Sequence, residues 1–222
     1  MAYLLEFQPS KLPEDILAPP YVMFGIQGVR VAEMLPPRIP LNAVLHFIPT
    51  LARFVLPAPE NLPPKIAQGA LRVPRVGLDI RLNIGVASLQ RIILKVLQSA
   101  SRTVSMRAFR CPPSTITSLS IRKTWLLFGL PRAGLDGLYI HMQMHLMAGP
   151  PVCFEQMEAL WDAFPPESDI LRAMFVNFIQ SHLVYHYSRV EFPAIQKWYL
   201  SDEKRRALFK SIEAKFPAFS KL

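Results

Sequence analysis

The chain has 222 residues, 51% of them apolar, with 22 prolines, 9 glycines and a formal charge of +9. That length holds one large domain, or a domain with an extension, and the apolar content excludes a chain too polar to build a core. No run reaches the roughly 18 apolar residues of a membrane span; the greasiest stretch, residues 43–56, is broken by His46, Pro49 and Arg53.

Residues 1–20 are proline-rich and without period; they read as an arm that packs on the surface or frays. Residues 21–28 (YVMFGIQG) and 29–34 read as a strand pair with a glycine-assisted turn, ended by Pro36-Pro37. Residues 40–47 suit a short helix. Pro49 suits the first turn of a second one over residues 50–54, where its missing N–H breaks no bond. Residues 57–70 read as loop, and residues 71–84 hold material for another strand.

The clearest helix of the first half is residues 86–97. Leu89, Ile92, Ile93, Val96 and Leu97 recur at helical spacing, with Arg91 and Lys95 together on the other face. Residues 98–114 are a polar, basic loop or inserted arm. Residues 115–130 form a second helical stretch, with Leu119, Trp125, Leu126 and Leu130 as expected anchors. After a turn at Pro131–Gly134, a third helix at residues 135–147 sets Leu135, Leu138, Met142 and Leu146 on one face. The helices at 86–97 and 135–147 are expected in the interior, not at an interface.

Residues 151–186 read as two amphipathic helices around a proline break. Met157, Leu160, Trp161 and Phe164 line the first; Pro165-Pro166 stops it, and Ser168-Asp169 opens the next, lined by Leu171, Phe175, Phe178, Ile179 and Leu183. Two apolar faces in one short hairpin must be buried against something larger. A last helix starts at Ser201, which can cap, with Leu208, Phe209, Ile212 and Phe216 inside and Pro217 after it.

This order of elements resembles the BTB/POZ fold, in the form carried by the divergent BTB-like proteins of filamentous fungi. Residues 41–54 resemble the family's helix-proline-helix, residues 86–97 its third helix, and residues 120–146 its fourth and fifth helices, split at Gly129-Leu130-Pro131. The run Phe164-Pro165-Pro166-Glu167-Ser168-Asp169-Ile170-Leu171-Arg172 resembles the helix-breaking motif of the extension that follows the domain in many fungal members. The chain departs from the family at Pro40-Leu41-Asn42, at Ile48 and at Gln98-Ser99-Ala100. The resemblance implies an α+β fold, a small sheet with a helical cluster. Its expected parts are an arm at 1–20, the domain at 21–150 and a helical extension at 151–222. It also implies a non-enzymatic adaptor or oligomerisation role, with a second protein or a second copy as partner.

The charge is uneven. Residues 71–132 hold eleven basic residues and one acid, Asp79, so that segment is +10 and the remainder −1. Such a field speeds encounters with acidic proteins, nucleic acid or anionic surfaces. A rival reading therefore makes Arg102, Arg107, Arg110, Arg122 and Lys123 a patch for nucleic acid or an acidic partner. A second rival starts from histidines at i, i+4, His141/His145 and His182/His186, a spacing that suits a metal on one helical face. Met142, Met144 and Met147 flank the first pair but read as core filler.

No catalytic elbow, phosphate loop or cofactor motif occurs, and none is expected to be needed. Glu155 and Glu158 read as an exposed acidic flank. Cys111 and Cys153 form no CxxC, and the N-terminus resembles no secretory signal. The expectation is two reduced, partly buried thiols in an intracellular protein, cytoplasmic or nuclear. The aromatic C-terminal stretch (Tyr185, Tyr187, Phe192, Trp198, Tyr199, Phe209, Phe216, Phe219) packs as a tail or offers a partner groove.

Overall fold

Alternation in Tyr-Val-Met-Phe-Gly-Ile makes β1 (Tyr21–Ile26), which turns Val22, Phe24 and Ile26 inward and leaves Met23 outside. The computed structural model describes residues 4–57, 74–103, 112–184 and 186–219. Two units divide the chain, Met1–Gly137 and Leu138–Leu222. A small sheet in the first unit and helices in both make the protein α+β.

Gln27 and Gly28, at φ 51° and 80°, form the two-residue turn from β1 into β2 (Val29–Arg30); this backbone handedness suits the twist of paired strands. β2 pairs antiparallel with Gly25 and Ile26, and β3 (Ile39–Pro40) antiparallel with Tyr21 and Val22. β4 (Arg75–Ile80) runs parallel to β1 from Tyr21↔Arg75 to Ile26↔Ile80. The expected strand pair is present, but its second strand ends at Arg30, and Ala32–Met34 turns as a 3-10 helix.

A parallel pair cannot be joined by a hairpin. The crossover from β1 to β4 carries α1 (Leu41–Phe47) and a 3-10 helix, Pro49–Phe54, with Pro49 in its first turn. The second helical piece is thus 3-10, not α. Of the expected loop at 57–70, residues from 58 onward lie outside the described residues, as do 71–73.

α2 (Val86–Ser99) buries Leu89, Ile92, Ile93, Val96 and Leu97 completely. It packs on α1 and on α3 (Thr115–Leu127), whose N-terminus is capped by Ser114 Oγ accepting from the Thr117 N–H at 3.3 Å. The inner face of α3 differs from the expected one. Thr115, Ser118, Ile121, Thr124 and Trp125 are buried, as are Phe128 and Leu130 just beyond the helix, whereas Leu119 and Leu126 are only half-buried. The reason is a contact between small polar side chains. Ser88 and Ser120 hydroxyls meet at 2.5 Å, and Thr124 Oγ1 donates to the Ser120 carbonyl at 2.8 Å.

The arm packs. Leu4, Leu5 and Ile16 are buried, Phe7 lies 4.8 Å from the Phe47 ring and 5.0 Å from Trp125, and the Glu6 N–H donates to the Gly134 carbonyl at 2.9 Å.

In the second unit α4 (Asp136–Ala148), which starts at its border, buries Leu138, Met142 and Leu146. Leu135, in the preceding 3-10 turn, is also fully buried. α5 (Phe154–Ala163) and α6 (Asp169–Leu183) form the expected hairpin. Ser168 Oγ caps α6 by accepting from the Ile170 N–H at 3.2 Å. Met157, Leu160, Leu171, Phe175, Phe178 and Ile179 are all buried.

The sequence pattern contains no hint of α7 (Glu191–Leu200), which carries Pro193 at its third position. The first four N–H groups of a helix have no internal partner, so a proline there costs no helical bond. α8 (Glu203–Glu213) follows. Its cap is Asp202, accepting from the Arg205 N–H at 2.8 Å, in place of the expected Ser201. Phe209 and Ile212 line its inner side, with Leu208 and Phe216 half-buried. Among the described residues no helix is long and apolar enough to cross a membrane.

One side chain joins three parts of this unit. Asn177 on α6, 4% exposed, accepts from the Val152 N–H at 2.9 Å and donates to the carbonyls of Leu146 at 2.7 Å and Pro150 at 3.2 Å. Asn177→Ala leaves a buried donor and buried acceptors unpaired, and is expected to destabilise the unit by about 2–3 kcal/mol. A urea titration followed by tryptophan fluorescence measures it, and an unchanged midpoint contradicts the assignment.

Candidate interaction surfaces

The outer face of the sheet is hollowed. Its rows run across the strands: Met23 opposite Gly77, and Gly25 opposite both Asp79 and Arg30. The two glycines leave room that a side chain would fill: a Cβ on Gly77 would stand 2.9 Å from Leu56 Cδ1, and one on Gly25 3.0 Å from Asp79 Oδ1. Leu56 arrives from the crossover, its N–H donating to the Gly77 carbonyl at 2.9 Å, beside a Val55↔Leu78 bridge.

Two adjoining hollows result. One, of about 270 Å³, lies among Met23, Gly25, Arg30, Leu56 and Gly77; the other, of about 350 Å³, lies among Arg53, Phe54, Val55, Leu56, Pro57 and Arg81. Asp79 borders both. Its Oδ1 accepts from the Gly28 N–H at 2.9 Å, so the carboxylate pins the hairpin turn, and its Oδ2 stands 3.8 Å from the Nε of the exposed Arg81. Arg53 lies over the Phe54 ring at 4.8 Å.

A second surface is on α4. This helix, expected wholly in the interior, buries only one face: Ile140, Met144 and Met147, spaced i, i+4 and i+7, are 63%, 60% and 56% exposed, because the turn of the helix carries them away from Leu138, Met142 and Leu146. Met142 is core filler as expected; Met144 and Met147 are not, because the helix turns them away from its buried stripe.

The residues singled out for chemistry are dispersed. Arg102 donates to the carbonyls of Arg38 and, at 2.9 Å, Pro37, which ties its guanidinium to a loop of its own unit. Arg122 is half-buried and Lys123 exposed. Arg107 and Arg110 lie outside the described residues, as do Cys111 and Tyr185. Cys153, expected to be partly buried, is exposed because it sits at the cap of α5, where its N–H donates to Gln156 Oε1 at 3.3 Å. Glu155 and Glu158 are exposed.

The histidine pairs differ from each other. His141 and His145 share a face of α4 with ring centres 6.1 Å apart. His182 and His186 do not share one, because α6 ends at Leu183 and His186 lies beyond it, exposed. Among the described residues no three His, Cys, Asp or Glu side chains converge.

The aromatic tail closes on α6. Phe178 is ringed by Tyr187, Phe192, Tyr199, Phe209 and Phe219 at centroid distances of 5.2–6.2 Å. Phe209, Tyr199 and Phe219 are buried, while Tyr187, Phe192, Trp198 and Phe216 are half-buried. Burial pushes the Tyr199 hydroxyl up to about 12, with Glu213 adding to the effect. Trp198 stays half-buried with Arg205 over its ring at 4.5 Å. His182 stacks on Phe192 at 3.8 Å with Phe219 at its edge, and its Nδ1 is buried without a hydrogen-bond partner among the described residues.

No protein-family model, curated protein or solved structure matches this chain.

Two outcomes follow from these surroundings. Desolvation holds the His182 imidazole below its ordinary 6.5. As pH falls, the unfolded chain binds the proton first; stability that is full above about pH 6.5 is lost as pH drops through the lower folded value. His182→Phe should flatten that part of the stability–pH curve, read from thermal midpoints across the acid range; an identical curve would refute it. Asp79→Ala should cost about 1 kcal/mol by freeing the turn, and Asp79→Asn, which keeps an acceptor for the Gly28 N–H, should cost less, both read from urea midpoints.

Proposed function

We propose that this chain is a protein–protein interaction module, working as an adaptor or by assembling with itself, in the manner of BTB/POZ-like proteins. The order of elements supports the likeness: a β-hairpin, a helix and a proline-started 3-10 helix, a strand returning parallel to β1, then three helices and a Pro-Pro hairpin extension. A free thiol at Cys153 fits work in a reducing compartment, cytoplasm or nucleus.

The observation that carries the interaction reading is the exposed stripe of α4. A helix that already buries Leu138, Met142 and Leu146 also presents Ile140, Met144 and Met147 to water. A helix apolar on two sides is at home inside a protein or an assembly, and clustered exposed apolar side chains mark surfaces that another chain covers.

Light scattering on the purified chain, run beside affinity capture from cells with mass spectrometry, tests the reading. The expected result is a mass above one chain or a reproducible partner, lost in Ile140→Lys/Met144→Lys while circular dichroism is unchanged. A monomer that captures nothing, or association indifferent to that pair, sinks it.

A further inference from the structure

We propose that the paired hollows on the outer face of the sheet bind an extended segment of a partner protein in which a carboxylate side chain lies beside bulky apolar ones. This site uses none of the residues of the α4 stripe, and it supplies the partner chemistry that the interaction reading leaves open. The walls are apolar: Met23 and Leu56 are 36% and 45% exposed, with Phe54 and Pro57 beside them. Hollows of about 270 and 350 Å³ are of a size for individual side chains. Three exposed arginines, Arg30, Arg53 and Arg81, border this apolar strip. The acid among them, Asp79, is already committed to the Gly28 N–H and faces Arg81, so the rim is left cationic.

Guanidinium groups pair with carboxylates through two parallel hydrogen bonds, and such bonds strengthen beside apolar surface. Arg53 stands over the Phe54 ring, and Arg81, 3.8 Å from Asp79 and beyond hydrogen-bond distance of it, keeps its donors for a ligand. Val55 and Leu56 already occupy part of the free edge of β4. Recognition therefore runs through side chains over the glycine floor, with backbone pairing secondary.

A random peptide library displayed on phage, selected against the full chain, tests this. The expected sequences place Asp or Glu next to Leu, Phe, Ile or Trp. A synthetic copy of one should bind with affinity that falls as salt rises. Arg53→Glu/Arg81→Glu and, independently, Leu56→Glu should each weaken it about tenfold or more, a loss of roughly 1.4 kcal/mol, with circular dichroism unchanged. The proposal is overturned by an empty selection, by enriched peptides without acids, or by undiminished binding to both folded variants. It is overturned equally if labelled single-stranded DNA alone binds this face, or if the variants merely dissolve a dimer. A partner captured by the parent chain and retained by Arg53→Glu/Arg81→Glu removes the groove and leaves the interaction reading standing.

Discussion

Every strand of the sheet hydrogen-bonds to the six residues of β1. Val22, Phe24 and Ile26 anchor the core of the first unit from one side of that strand, while Met23 and Gly25 floor the outer hollow from the other. Because β4 runs parallel to β1, the chain must leave the sheet and return. That excursion brings Arg53 to Pro57 back alongside β4, so the crossover that completes the sheet also builds one wall of the groove. Core and candidate site thus share a backbone, and changes to the core-facing side chains of β1 carry through to the spacing of the outer face.

The second unit separates these tasks. Its aromatic residues gather round Phe178, inside, where Asn177 satisfies buried backbone groups that no helix bond reaches. On α4, a different helix, Ile140, Met144 and Met147 face outward together, and Val184, Val190 and Leu200 are exposed elsewhere in the unit. Polar substitution on the outer stripe and cavity formation round Phe178 therefore have distinct costs, the first in association and the second in stability.

Where hydrophobic spacing was regular the sequence was readable. Leu89 to Leu97 define the buried face of α2, and the Pro-Pro break between α5 and α6 falls where it was expected. α3 was readable as a helix but only partly in its facing: Trp125 and Leu130 are buried as expected, while Ser118 and Thr124 are buried and Leu119 and Leu126 only half so. α7 was invisible because Pro193 reads as a breaker unless its place in the first turn is known. The groove was illegible for another reason. It is assembled from residues 23–30, 53–57 and 77–81, whose neighbourhood depends on a strand register that no local spacing encodes. The charge imbalance was legible, but which arginines are already occupied was not.

Arg102 illustrates that last distinction. Its guanidinium reaches two successive carbonyls, those of Pro37 and Arg38, through two separate nitrogens of a rigid planar fork, where an ammonium would have to serve both from one. At this position molecular shape matters, whereas at exposed Lys123 sign alone does. A tally of positive residues therefore overstates the hydrogen-bond donors that an approaching molecule would find unoccupied, and exchanging arginine for lysine at 102 would loosen a loop without altering the formal charge at all.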